Sequence, residues 1–210
     1  MEVHPPDHPI HNWRDLFIHL GVITVGLFIA LTLESFVEYI HHRHIVAEAR
    51  ENIRQEIEDN HKSALDDVTL VQKAFDSAKN DLDTIRSLRD DPKSFKNKTL
   101  DYTINFEQLD DSAWKTARET GALGFMPYKE VQAYSDLYAV QDIVNTQAIE
   151  VLHSEEFSMS PIVASSEIMK MPPSDIDKLL HNTSDLYVQL HSLKGLIQQL
   201  DTQYGAKLNK

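Results

Sequence analysis

Histidine is the residue whose crowding most invites a chemical reading. His4, His8, His11, His19, His41, His42 and His44 place seven of the chain's eleven histidines within its first forty-four residues. Imidazoles in such number can bind a transition metal or haem, or relay protons. What lies between them excludes one shared site. Three precede an apolar run from Leu16 to Leu33 and three follow it, so a helical run holds the two groups roughly a bilayer's thickness apart. Neither group offers a fixed ligand cage: HPPDHPIH is irregular, and HHRH sends neighbouring side chains to divergent faces of a helix. We read them as polar decoration at the ends of the run, with no metal and no cofactor expected.

The sharper pair is His19 and Glu34. Fifteen residues apart, they stand about 60° from each other around a helix, on a face shared with Ile23, Gly26 and Ala30. Polar groups in a membrane turn towards protein, and small residues let backbones approach, so His19, Gly26, Ala30 and Glu34 form a candidate interface between membrane helices. No strict GxxxG is present, and snorkelling of His19 and Glu34 to the two boundaries is the plainer alternative. Trp114, Tyr134 and Tyr138 are a second candidate, lining a cleft for a small ligand beside GALGFMPY; core packing is their alternative. The acidic pairs Asp66–Asp67 and Asp110–Asp111 lack any calcium-loop framework and read as solvated faces and helix caps. No Walker sequence, nucleophile elbow, H-E-x-x-H or Rossmann glycine pattern occurs, so no enzyme is expected.

These residues are positioned first of all by LFIHLGVITVGLFIALTL, eighteen residues of which twelve are Leu, Ile, Val or Phe. At 1.5 Å per residue the run reaches roughly 27 Å, close to the roughly 30 Å of a hydrocarbon core. Twelve such residues favour insertion by roughly 5 kcal/mol, more than His19, two glycines and two threonines oppose. A soluble core helix would show a polar stripe, and a cleavable signal would want a basic leader and a small-x-small site; both are missing. Trp13 and Tyr39 flank the run as interface anchors. Arg14 alone precedes it while Arg43, Arg50 and Arg54 follow, which leans the body towards the cytoplasm. A net charge of −13 argues against nucleic acid, and the absence of cysteine removes disulfides and thiolate chemistry.

The apolar period continues past the run through Val46, Ala49, Ile53, Ile57, Ala64, Val68, Val71, Phe75, Ala78, Leu82 and Ile85, predicting one helix from Asn12 to about Asp91, where Pro92 stops it. A single rod of that length would reach roughly 120 Å, and a bend near Asn60 and His61, where the seam turns polar, is the alternative to it. Across 95–108, Leu100, Tyr102, Ile104 and Phe106 alternate with polar residues, as in an extended segment packed along a bundle or paired between protomers. Further helices are expected at about 112–120, capped by Ser112 and ended by Gly121; at 128–157, after Pro127; and at 174–204, capped by Ser174 and ended near Gly205. The fold class is all-α: a Pro- and His-rich leader over 1–13, a transmembrane helix over 14–40, and an antiparallel helical bundle over 41–210 that continues from it.

Two stretches carry a resemblance. The segment HPIHNWRDLFIHLGVITVGLFIALTLESFVEYIHHRHIVAEARENIRQEIEDN resembles the opening of uncharacterised bacterial single-pass membrane proteins. SAWKTARETGALGFMPYKEVQAYSDLYAVQ is similar to a Trp, Gly and Tyr pattern in their bodies. The resemblance implies the bacterial inner membrane and this architecture, and brings no catalytic residues with it. The expected function is a membrane-anchored helical interaction or scaffold protein. Its partners would be the lipid bilayer and another protein, or a second copy, met through the span and long helix. A membrane-tethered ligand sensor is the alternative.

Overall fold

The computed structural model describes residues 13–165 and 167–208, so the leader's His4, His8 and His11 and the cap expected at Asn12 lie outside the described residues. Among the described residues four helices carry the fold: α1 (Trp13–Asp90), α2 (Ser112–Glu119), α3 (Tyr128–Ala164) and α4 (Pro173–Leu208). Single 3-10 turns at Pro92–Phe95, Ala122–Phe125 and Ile168–Lys170 join them, and no strand occurs among the described residues. The chain divides into two units, Met1–Glu48 and Ala49–Lys210, and α1 contributes to both.

In the first unit α1 carries the one stretch among the described residues long and apolar enough to cross a membrane. Its most apolar eighteen-residue window has a mean hydropathy of 2.4 and none of it is buried. Phe17, Val22, Ile23, Leu27, Phe28, Ile29 and Leu33 all face outward. The two threonines are satisfied inside the helix: Thr24 Oγ1 donates to the Leu20 carbonyl and Thr32 Oγ1 to that of Phe28, each at 2.7 Å. A hydroxyl in an apolar medium must find such a partner. Arg43 stands 5.8 Å from the ring centre of Tyr39 at the far end of the run.

The second unit closes its own core. Ile53, Ile57, Ala64, Val71, Leu82, Ile85 and Leu88 of α1 are buried with Leu137, Val144 and Val151 of α3 and Leu179, Leu186, Leu190, Leu193 and Leu200 of α4. Pairing fixes the directions. Arg50 meets Glu130, Glu56 meets Tyr138 and Asn60 meets Gln141, so α1 and α3 run the same way. Phe75 stacks on Tyr187, His61 Nε2 lies 2.9 Å from Asp201 Oδ1, and Gln147 bonds Gln189, so α4 runs antiparallel to both. Two parallel neighbours need a return path, and residues 96–111 supply it. This extended strap travels back along α1 before α2 and α3 begin. Its alternation holds as expected: Tyr102 is buried and Ile104 and Phe106 half-buried, while Asp101, Thr103 and Asn105 face solvent.

Helix α1 is continuous through Asn60, whose side chain faces the strap. Three helix ends differ from expectation. Helix α3 continues past Phe157 to Ala164, with Pro161 inside it. A proline donates no bond to the carbonyl four residues back, and that carbonyl, Phe157 O, is taken by Asn182 Nδ2 of α4 at 2.8 Å. Helix α4 opens at Pro173, not after Ser174: the Pro172 carbonyl accepts from Asp175 N and Ile176 N, and proline suits the first helical position. At its other end α4 runs through Gly205 to Leu208. Gly121 does end α2, in the left-handed conformation at φ 76°.

Candidate functional site

A row of polar residues on α1 organises the most elaborate part of the body. Glu56, Asn60, Ser63, Asp67, Ser77 and Asp81 fall within a sector of about 100° on the helix, beside the apolar seam. An extended segment without a partner strand has no ladder for its amides, and buried amides must be paired. The row provides the acceptors. Asp81 accepts from Asp101 N at 3.0 and 3.2 Å, Asp67 from Glu107 N at 2.9 Å, and Asn60 Oδ1 from Asp110 N at 2.9 Å. Ser63 and Ser77 donate to the Glu107 and Asp101 carboxylates. On the α3 side Asn145 brackets Leu109, accepting from its N–H and donating to its carbonyl, while Gln141 donates to the Asp110 carbonyl. At mid-strap the buried Tyr102 hydroxyl meets Thr183 Oγ1 of α4 at 2.8 Å.

Glu56, buried at 8% exposure, is the busiest member. It accepts from Ala113 N at 2.6 Å, Trp114 N at 3.3 Å, Ser112 Oγ at 3.2 Å and the Tyr138 hydroxyl at 2.6 Å. The first amides of α2 are therefore capped by a side chain from α1, more than fifty residues away, with Asp110 Oδ1 taking Ser112 N. Ser112, the expected cap, is itself the first residue of the helix. Next to this hub Tyr204 of α4 donates to Gln141 Oε1 at 2.6 Å, which also accepts from Asn60 Nδ2.

Electrostatics divide the row. Burial pushes Asp67 up to about 6; the Glu107 N–H opposes that rise, while the charges of Glu107 and Asp66 add to it. Burial likewise pushes Asp81 up to about 6, with the Asp101 N–H opposing and the Asp101 charge adding. Asp101, on the exposed side, is held below the usual carboxylate range by its bonds to Thr103. Tyr138 is raised well above an ordinary phenol by burial and then by its bond to Glu56, and Tyr102 is pushed up to about 12 by burial. The polar atoms of the row are thus engaged in holding a chain segment.

The aromatic candidates are brought together. Trp114 stacks on Tyr138 with ring centres 5.3 Å apart and planes 7° from parallel, and Tyr134 lies 6.3 Å from Trp114. The rings fill space against one another. Beside Tyr134 a shallow groove of about 270 Å³ runs between α3 and α4, lined by Ala133, Asp136, Leu137, Gln203, Ala206 and Lys207. Lys207 Nζ sits 3.8 Å above the Tyr134 ring centre. In the first unit His19, Gly26, Ala30 and Glu34 are all exposed on α1, and nothing lies within 4 Å of a Cβ built on Gly26. His41 and His44 are exposed, and His42 Nε2 stands 3.8 Å from Glu38.

Asp66 is solvated as expected, but Asp67 is buried at 3% exposure, because the adjacent position on the helix turns it under the strap. Glu56, Asp81 and Gln141, also buried, are likewise not singled out by the sequence. The signal was the helical recurrence of polar residues next to the apolar seam, which reads as an ordinary wet flank until an extended segment is laid on it. No known protein family, curated protein or solved structure matches this chain.

Proposed function

We propose that the chain is a single-pass bacterial inner-membrane protein without enzymatic activity, whose helical body is an interaction or scaffold element tethered to the bilayer. The observation that supports this is the contrast within α1: Leu16–Leu33 leaves every large apolar side chain exposed, whereas from Ala49 onward the seam of Ile53, Ile57, Ala64, Val71, Leu82, Ile85 and Leu88 is buried. An apolar surface of that length calls for lipid or protein. The face carrying His19, Gly26, Ala30 and Glu34 is the proposed meeting point with a second span, and the arginine asymmetry points the body towards the cytoplasm. The test is oligomer size in mild detergent for the intact chain, His19→Leu and Gly26→Leu. Both variants are expected to weaken self-association by roughly tenfold, as loss of about 1.4 kcal/mol of helix contact would. An intact chain that is monomeric, or variants of unchanged size, removes this interface. Protease protection in sealed vesicles then reads the sidedness.

A second reading, a tethered ligand sensor, draws on the groove beside Tyr134 and the Trp114–Tyr138 stack. It predicts that a small molecule raises the melting temperature of the intact chain and shifts Trp114 fluorescence.

A further inference from the structure

The strap is clamped in two chemically different ways. Near its α2 end the clamps are neutral amides: Asn145 on Leu109, and Asn60 and Gln141 on Asp110. Along its middle they are carboxylates: Asp67 on Glu107 N and Asp81 on Asp101 N. Each of those aspartates is almost fully buried, at 3% and 4% exposure, takes a single backbone amide, and confronts a second carboxylate on the strap itself. The charged or titratable groups acting on Asp67 are Glu107 from the strap and Asp66 from α1. Among the described residues those at Asp81 are Asp101 and the Tyr102 phenol, both from the strap, and the uncharged Thr183 of α4 stands behind that phenol. None of these groups is a cation. Closing the strap therefore buries a carboxylate against a like charge at two places fourteen residues apart on α1, with one N–H at each to offset it.

We propose that the strap is a pH-gated latch, held against α1 when Asp67 and Asp81 are protonated and loosened over residues 101–107 as they ionise opposite Glu107 and Asp101. The sign follows from linkage. A carboxyl group that prefers its proton in the closed state stabilises closure fully below the ordinary carboxylate range and loses that contribution as pH rises through about 6. Release frees Tyr102, Ile104 and Phe106, the inward side of the segment, and uncovers the polar row of α1 between Ser63 and Asp81. The Leu109 and Asp110 clamps do not titrate, so the latch swings from a fixed end.

Amide hydrogen exchange on the full chain in detergent, corrected for the intrinsic pH dependence of exchange, reads this directly. Between pH 5 and 7 the opening equilibrium at the Asp101 and Glu107 amides should rise roughly tenfold for each aspartate involved, while Leu109 and Asp110 stay level. The double variant Asp67→Asn, Asp81→Asn keeps one acceptor oxygen at each position and should flatten that rise. Should it fold poorly, Asp101→Asn with Glu107→Gln alters only exposed strap residues and should reduce the slope by removing the opposing charge. An equal pH response at all four amides, no response at any, or an undiminished slope in the variants overturns the latch.

Discussion

Among single residues, Glu56 and the two buried aspartates do opposite things with the same functional group. Glu56 gathers three donors from α2 and a tyrosine hydroxyl, so removing it strands the Ala113 and Trp114 amides and the Tyr138 hydroxyl inside the bundle. Glu56→Ala should lower unfolding free energy by about 2–4 kcal/mol in urea titration, and Glu56→Gln, which keeps an acceptor, by clearly less. Asp67 has one donor, and its charge is opposed. Its contribution is complete below the ordinary carboxylate range and fades as pH climbs through about 6, so the stability of Asp67→Asn relative to the parent should improve by about 2 kcal/mol between pH 4 and pH 7.5. Glu130 has the reverse sign: its bond to Arg50 holds it below the usual range, so its contribution is present at neutral pH and is lost on acidification. None of these roles was legible in the sequence, because an acidic residue three or four positions from a hydrophobic seam looks the same whether water or a strap covers it.

At the level of elements, the apolar period read in the sequence located all four helices and the extended segment between the first two. What it misjudged were ends, and that of α3 has its cause in a distant residue. Pro161 reads as a stop, yet α3 passes through it because Asn182 of α4 occupies the Phe157 carbonyl that the proline leaves open. A double-mutant cycle tests that account. Asn182→Ala should cost about 1 kcal/mol in the parent and close to nothing in the Pro161→Ala background, where the backbone N–H regained at that position bonds the Phe157 carbonyl itself. Gly121 is the converse, an end legible from one residue. At φ 76° it closes α2 where a side chain is strained, and Gly121→Ala should cost about 1 kcal/mol by thermal or urea unfolding.

As a whole molecule the chain joins an uncovered apolar helix to a body whose core closes on itself, and the two units call for different solvents. A fragment of residues 41–210 should remain helical, soluble and cooperatively folded by circular dichroism, whereas the full chain should stay with the membrane fraction under alkaline wash and need detergent. Aggregation of the fragment would show that its surface needs the missing segment. The fold class was legible because helix period and proline placement are local properties. That α1 and α3 run parallel was not, since direction depends on where an irregular strap lies down. That parallel arrangement also sets an order of events during synthesis. The antiparallel α3–α4 pair is local in sequence and can form quickly, but the seam of α1 is finished only by residues such as Leu200 and Tyr204, made about 150 positions after Ile53. At roughly 5–20 residues per second, the newborn chain therefore carries an open hydrophobic seam for about 8–30 s.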